Sequence, residues 1–268
     1  VFNLAINGNF DDCQNLVKSM FSDTGFANTI NMSGVNSINW ARIVAQTVYY
    51  FYSYFQIGKQ NLSFSVPTGN FGDVYAGYIS KQMGLPISKF IVATNQNDIL
   101  HRAISNGDYK SNKVKETISP SMDIQVASNF ERLLYDLYDK NSENVINIMK
   151  SIKDNSFKIE QDKLKNLRND FDSESLNETE VINTIKKFYE ENNIVIDPHT
   201  AIGVGAVEKL NLSDVVILST AHPCKFPVAI EKAISKIEKL PKSLSHVNDK
   251  KEKFDVIQIN SNSTDILD

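Results

Sequence analysis

Residues 62–94 read LSFSVPTGNFGDVYAGYISKQMGLPISKFIVAT, and the fold class follows from their pattern. Leu62-Ser63-Phe64-Ser65-Val66 alternates over the length of a strand and runs into Pro67-Thr68-Gly69-Asn70-Phe71-Gly72-Asp73. Val74, Tyr75, Tyr78, Ile79 and Met83 then recur at helical spacing, with Gly84 placed as a C-terminal stop. After Leu85-Pro86, the run from Lys89 to Thr94 reads as a second, buried strand. A strand, a glycine loop, a helix and a strand in this order belong to a parallel α/β sheet with flanking helices.

Upstream, Asn36 to Gln56 (NSINWARIVAQTVYYFYSYFQ) is the most apolar-looking segment. Arg42, Gln46 and its small polar residues speak against a membrane span. Ile38, Ala41, Val44, Val48, Phe51 and Phe55 recur at steps of three and four, which predicts one buried stripe of a long core helix with the tyrosine hydroxyls at a rim. Downstream, a helix is expected from about Asn97 to Ser105, ending at Asn106-Gly107. From Glu143 to Asn193 the composition turns to Lys, Glu, Asp and Asn with spaced apolar residues, which reads as a small helical insertion. Strand character returns at Val215–Thr220, followed by a helix from Phe226 to Ile237 and a weakly patterned polar tail beyond Pro241. The boundaries drawn this way are an α/β portion over 1–120 and 195–240, an insertion over 121–194 and a tail over 241–268.

The 268 residues are enough for one large α/β unit or two domains. Hydrophobic residues at 41% and charged residues at 22% exclude disorder for the bulk of the chain. With 28 Lys and Arg against 32 Asp and Glu, no basic excess is left for a nucleic-acid backbone. Cys13 and Cys224 are far apart and form no CxxC pair, which fits a reducing, cytoplasmic setting. The chain opens on Val1 with no basic and apolar leader, and its start reads as a cut inside a fold already under way.

The 68–73 loop is the sharpest chemical signal. Between a strand and a helix, glycines admit close approach of an anion, and the first-turn N–H groups and helix dipole favour a phosphate there. A tight turn with Asp73 as N-cap explains the same residues equally well. The loop is neither GxGxxG nor GxxxxGK[ST], so the dinucleotide and P-loop readings lose their support. A phosphate here requires Asp73 to offer its backbone N–H and turn its carboxylate away. His101, His199, His222 and His246 show no metal-ligand spacing, and each lone histidine reads first as structural. Cys224 has no general base in a recognised arrangement beside it.

Six blocks in order, FDDCQ at Phe10 to Gln14, NSINWAR at Asn36 to Arg42, VPTGNFGD at Val66 to Asp73, IVATNQND at Ile91 to Asp98, DPHTA at Asp197 to Ala201 and STAHPCKF at Ser219 to Phe226, resemble threonine synthase over nearly the whole chain. The resemblance implies a fold-type-II pyridoxal-phosphate fold, like that of tryptophan synthase β, and conversion of O-phospho-L-homoserine and water into L-threonine and phosphate. It implies that Gly69, Asn70, Phe71 and Asp73 hold the cofactor phosphate, largely through backbone N–H groups, and that Thr220 meets the pyridine nitrogen. Asn36, Ser37 and Arg42 resemble the family's clamp on the substrate phosphate. No metal, nucleic acid or membrane is implied.

The family's Schiff-base lysine lies in a Ser-Phe-Lys-Asp block upstream of the glycine loop, and no such block precedes Gly69. Ser156-Phe157-Lys158 imitates it but continues as Ile159-Glu160, so Lys158 is expected at the surface and Lys225 near a domain edge. The catalytic lysine is therefore expected upstream of Val1, and these 268 residues alone are expected to be inactive. Two alternatives stay open: a related phospho-lyase acting on another phosphorylated amino acid, and a non-catalytic homologue that binds a phosphorylated ligand.

Overall fold

The structure is a computed structural model and describes residues 3–8, 10–236, 239–247 and 249–258. Its elements in chain order are β1 (Leu4–Ile6), α1 (Phe10–Ser22), α2 (Thr24–Thr29), α3 (Trp40–Ile57), β2 (Leu62–Pro67), α4 (Gly72–Gln82), β3 (Ile87–Thr94), α5 (Ile99–Asn106), α6 (Phe130–Leu137), α7 (Ser142–Lys153), α8 (Gln161–Asp170), β4 (Phe171–Ser175), α9 (Glu178–Asn192), α10 (Pro198–Lys209), β5 (Val215–Ile217), α11 (Pro227–Ile234) and β6 (Asp255–Ile257). They fall into two compact units, one of residues 1–34 with 240–268 and one of residues 35–239. In the first, β1 and β6 pair in parallel, and Asp23 caps α2 by accepting from the Phe26 N–H.

The larger unit is built on a four-stranded sheet of order β4-β3-β2-β5 whose pairs are all parallel. Successive side chains of a strand point to opposite faces, and the two apolar layers follow that alternation. Phe64, Val66, Phe90 and Val92 join the layer that takes in Ile43 and Tyr50 of α3 and Val74 of α4. Ile91 and Ala93 join the other, with Ala201 and Ile202 of α10 and Ile185 of α9. Ser65, fully buried between them, is satisfied by donating to the Gly203 carbonyl at 2.8 Å. Burying each such Phe contributes about 1.5–3 kcal/mol. Gly77 lets α4 lie close: a Cβ there would meet the Tyr50 ring at 2.5 Å and the Phe90 ring at 2.6 Å.

Two expectations change. Segment 121–194 is not a helical insertion, because it contains β4, which pairs with β3 over Phe90–Thr94 as the sheet's edge strand. Its Asp172, Glu174 and Ser175 gave the strand a polar look that hid it in the sequence. The stripe expected to face the core on α3 is also displaced. Ile43, Thr47 and Tyr50 are buried, whereas Val44 (44% exposed), Val48 (60%) and Phe55 (71%) are not. Apolar residues cover more than one side of this helix, so periodicity could not choose the side. Tyr50 settles on the inner one because its hydroxyl finds the Asp73 carbonyl at 2.8 Å. No described helix is long and apolar enough to cross a membrane.

Candidate active site

From β2 the chain winds to β3 and β4 on one side, then returns to place β5 on the other side of β2. A sheet that reverses its order in this way opens a crevice at the carboxyl ends of the two strands flanking the reversal. A cavity of about 800 Å³ lies there, lined by Pro67, Gly69, Asn70 and Asp73 after β2 and by Leu218, Ser219, Thr220 and Ala221 after β5. Asn36, Ser37, Arg42 and Gln46 close one side, and Ser121, Met122, His199, Lys225 and Phe226 complete the wall. All of these belong to the larger unit. Of the expected residues, Gly69, Asn70, Asp73, Thr220, Asn36, Ser37 and Arg42 meet at this cavity.

The glycine loop is held by its own side chains. Gly69 passes so close to the 120–122 turn that a Cβ would sit 2.7 Å from the Ser121 carbonyl oxygen. Asn70 accepts from the Gly72 N–H at 2.9 Å through Oδ1 and donates to Ser37 Oγ at 2.8 Å through Nδ2. Phe71 takes the left-handed conformation, φ 67°, and precedes α4 without a side-chain cap. That conformation is costly for an aromatic residue, and its ring offsets the cost by being fully buried against Phe130 and Phe171. Phe71 thus anchors the loop from behind. By helix geometry the N–H groups of Asp73 and Val74 have no intrahelical acceptor, which leaves them for a ligand.

Asp73 is not the cap of α4. It lies within the first turn, where the buried Tyr50 hydroxyl reaches its Oδ1 at 3.3 Å. Burial pushes its carboxyl up to about 6, against the opposing pull of the Tyr50 hydrogen bond. The carboxylate is thereby drawn to α3 while remaining in the cavity wall.

Arg42 projects from the first turns of α3, and its guanidinium has no hydrogen-bond or ion-pair partner among the described residues. Ser37 is differently placed. Its hydroxyl donates to Asn36 Oδ1 at 3.2 Å and accepts from Asn70 at 2.8 Å and Asn129 at 3.4 Å, so it ties the 36–37 loop to the glycine loop. Asn129 and Arg132 were missed in the sequence. Asn129, fully buried, gives its backbone N–H to the Asn70 carbonyl at 3.0 Å, and Arg132 donates to Asn129 Oδ1 at 3.0 Å and to the Ile38 carbonyl at 2.9 Å. The only sequence signal was an Asn just before an apolar helical run.

Across the cavity, Asp197 caps α10 by accepting from the backbone N–H groups of His199 and Thr200, and it pairs with His199 Nδ1 at 3.0 Å and with the Thr200 hydroxyl. Burial raises its carboxyl, but these hydrogen bonds outweigh burial and leave it below the ordinary value. His222 accepts from the Cys224 N–H at 3.2 Å, a structural use of the kind expected of a lone histidine. Lys158 is exposed, as expected. Lys225 departs from expectation: it lines the cavity, with Nζ 5.8 Å from the Phe226 ring centroid, because the turn at 223–225 folds back from the end of β5. No group of His, Cys, Asp and Glu able to hold a metal ion occurs among the described residues.

Residues 200–265 match the family model described as threonine synthase, C-terminal. The chain is 46% identical over 264 residues to a threonine synthase of Pseudomonas aeruginosa, covering 96% of itself and 56% of that protein. It is 44% identical to the threonine synthase of Saccharomyces cerevisiae, covering 95% of itself and 56% of the relative. Among solved structures, a PLP-bound threonine synthase from Brucella melitensis superposes with a TM-score of 0.88 at 44% identity, over 96% of this chain and 57% of that one. The chain therefore spans a little over half the length of the relatives it matches, and over that span it is similar to threonine synthases in both sequence and fold.

Proposed function

We propose that the cavity between β2 and β5 binds pyridoxal 5'-phosphate, and that the protein acts as a threonine synthase, converting O-phospho-L-homoserine and water into L-threonine and phosphate in threonine biosynthesis. The observation that carries this is the convergence at one switch-point cavity of an anion-binding helix start, an unpartnered arginine and the Thr220 loop.

The residues present fit the cofactor. A cavity of about 800 Å³ is within the usual range for such a ligand. Gly69 leaves the backbone bare, and the free N–H groups at the start of α4 face the place where a phosphate is stabilised by the helix dipole. Asp73 is drawn towards α3 by the Tyr50 hydroxyl, 3.3 Å from its Oδ1, which turns its carboxylate aside while its backbone N–H stays with the helix start. When bound, the cofactor supplies an electron sink that acidifies the carbon bonds next to the substrate nitrogen. Thr220 would offer a neutral hydroxyl to the ring nitrogen and leave it unprotonated, which keeps that sink weak. Arg42 would bind the substrate phosphate through its planar fork, and Asn36 and Ser37 would shape the edge of that subsite.

Small-molecule chemistry in the cytoplasm accords with two free cysteines, Cys13 and Cys224. Product analysis on the protein expressed from its whole reading frame, supplied with PLP and O-phospho-L-homoserine, tests the reading. Equal amounts of threonine and phosphate support it. A keto acid and ammonia in place of threonine would instead make the protein a phospho-lyase, and the absence of any PLP spectral change would refute the cofactor site.

A further inference from the structure

We infer that His199 is a ligand-contacting residue of this cavity, its Nε2 accepting a hydrogen bond from an N–H or O–H group of the bound molecule. This rests on the cavity being the ligand site, as proposed above, and not on which reaction follows.

Three buried side-chain atoms among the described residues lack any partner: Gln46 Oε1, Ser128 Oγ and His199 Nε2. Two of the three, on Gln46 and His199, belong to residues lining the same cavity. Unpaired buried polar atoms are costly and rare, so their gathering at one site points to a molecule that completes them. His199 is only 4% exposed and is held from two sides. Its Nδ1 lies 3.0 Å from Asp197 Oδ1, and its ring packs on Phe226 with centroids 4.8 Å apart. Asp197 is itself fixed by the Thr200 hydroxyl and by two backbone N–H groups of α10. An ionised carboxylate at Nδ1 assigns the proton to that nitrogen, which leaves a lone pair on Nε2. His199 thus lines the cavity with Nε2 as a fixed acceptor that water does not reach, and its complement is a donor on the ligand. The same ordering of carboxylate, imidazole and reacting group serves elsewhere to hold one tautomer in place.

The test uses imidazole 15N and backbone amide spectra of the full chain, first alone, then with PLP, then with PLP and O-phospho-L-homoserine. The expected result is that the amide signals of residues 69–73 move and that the His199 Nε2 resonance shifts on one of these additions while Nδ1 stays. If the loop moves and Nε2 does not, His199 is structural and the inference fails alone. If neither moves, the cavity is not the ligand site and both fall. A variant pair gives a second readout. His199→Asn keeps a donor towards Asp197 and removes Nε2, and should weaken binding of one probe by about tenfold in a protein that still unfolds cooperatively. His199→Gln, which reaches the Nε2 position, should recover part of that loss. Wild-type affinity for both probes in His199→Asn overturns the assignment.

Discussion

Replacing Asp73 with Asn should stabilise this protein, and by an amount that grows with pH. The carboxyl is raised from 3.8 to about 6, chiefly by burial. In the unfolded chain it ionises near pH 4, whereas in the native state it holds its proton about two pH units longer. A group shifted upward in this way costs nothing below its unfolded value, and the protein loses stability as the pH rises through the native one. The full difference is roughly 3 kcal/mol. It is roughly 1 kcal/mol at pH 4.5 and close to its limit by pH 7.5. Asn keeps an oxygen for the Tyr50 hydroxyl, and the stronger Tyr50 contact, 2.8 Å to the Asp73 carbonyl, is untouched. Urea unfolding of wild type and Asp73→Asn at both pH values isolates the effect, since titrations common to the two proteins cancel. The variant should gain roughly 2 kcal/mol more over wild type at pH 7.5 than at pH 4.5. A difference that is flat across that window, or that shrinks with rising pH, would refute the idea that an ionised Asp73 is held at a cost.

Three further outcomes follow from the same geometry. Gly69→Ala drives a methyl group to 2.7 Å from the Ser121 carbonyl, so PLP affinity, read by absorbance titration, should fall at least tenfold while the protein remains folded. Arg42→Ala removes a charged hydrogen-bonding fork worth about 1.5–3 kcal/mol, which predicts a KM for the phosphorylated substrate roughly 10- to 100-fold higher, with PLP affinity unchanged. Asn129→Ala leaves Arg132 without one acceptor and Ser37 without one donor, and should lower unfolding stability by about 1–3 kcal/mol and loosen PLP binding together.

Much of the larger unit could be read in order from the chain. Val66 to Asp73 announced a turn from strand to helix, Gly107 ends α5 in the left-handed conformation at the expected place, and β2 and β3 lie where the alternation and the apolar run put them. The edge strand β4 escaped because its polar residues resemble those of the solvated helices on either side. The inner side of α3 escaped because Tyr50 and Thr47 rank as less apolar than Val48 and Phe55, yet they are the ones with a place to go. Among the residues lining the cavity, Gly69, Asp73, Thr220 and Arg42 fall in the blocks that resemble a known family. Asn129, Arg132 and the unpaired face of His199 were not, because their roles depend on partners 59 to 94 positions away or on the lack of one.

Read alone, the chain establishes a glycine-rich turn from strand to helix suited to an anion, and its family-like blocks mark a neutral threonine after a strand and an arginine at the head of a helix. These are properties of neighbouring residues, fixed by steric freedom, dipoles and charge. It took the folded chain to bring them to one cavity, to engage Ser37 in holding two loops together while Arg42 is left free, and to set Asp73 against Tyr50. Those outcomes follow from the reversal of strand order at β2, which brings residues about 150 positions apart to one crevice, and from burial, which acts on a carboxyl or an imidazole only once the chain has closed around it.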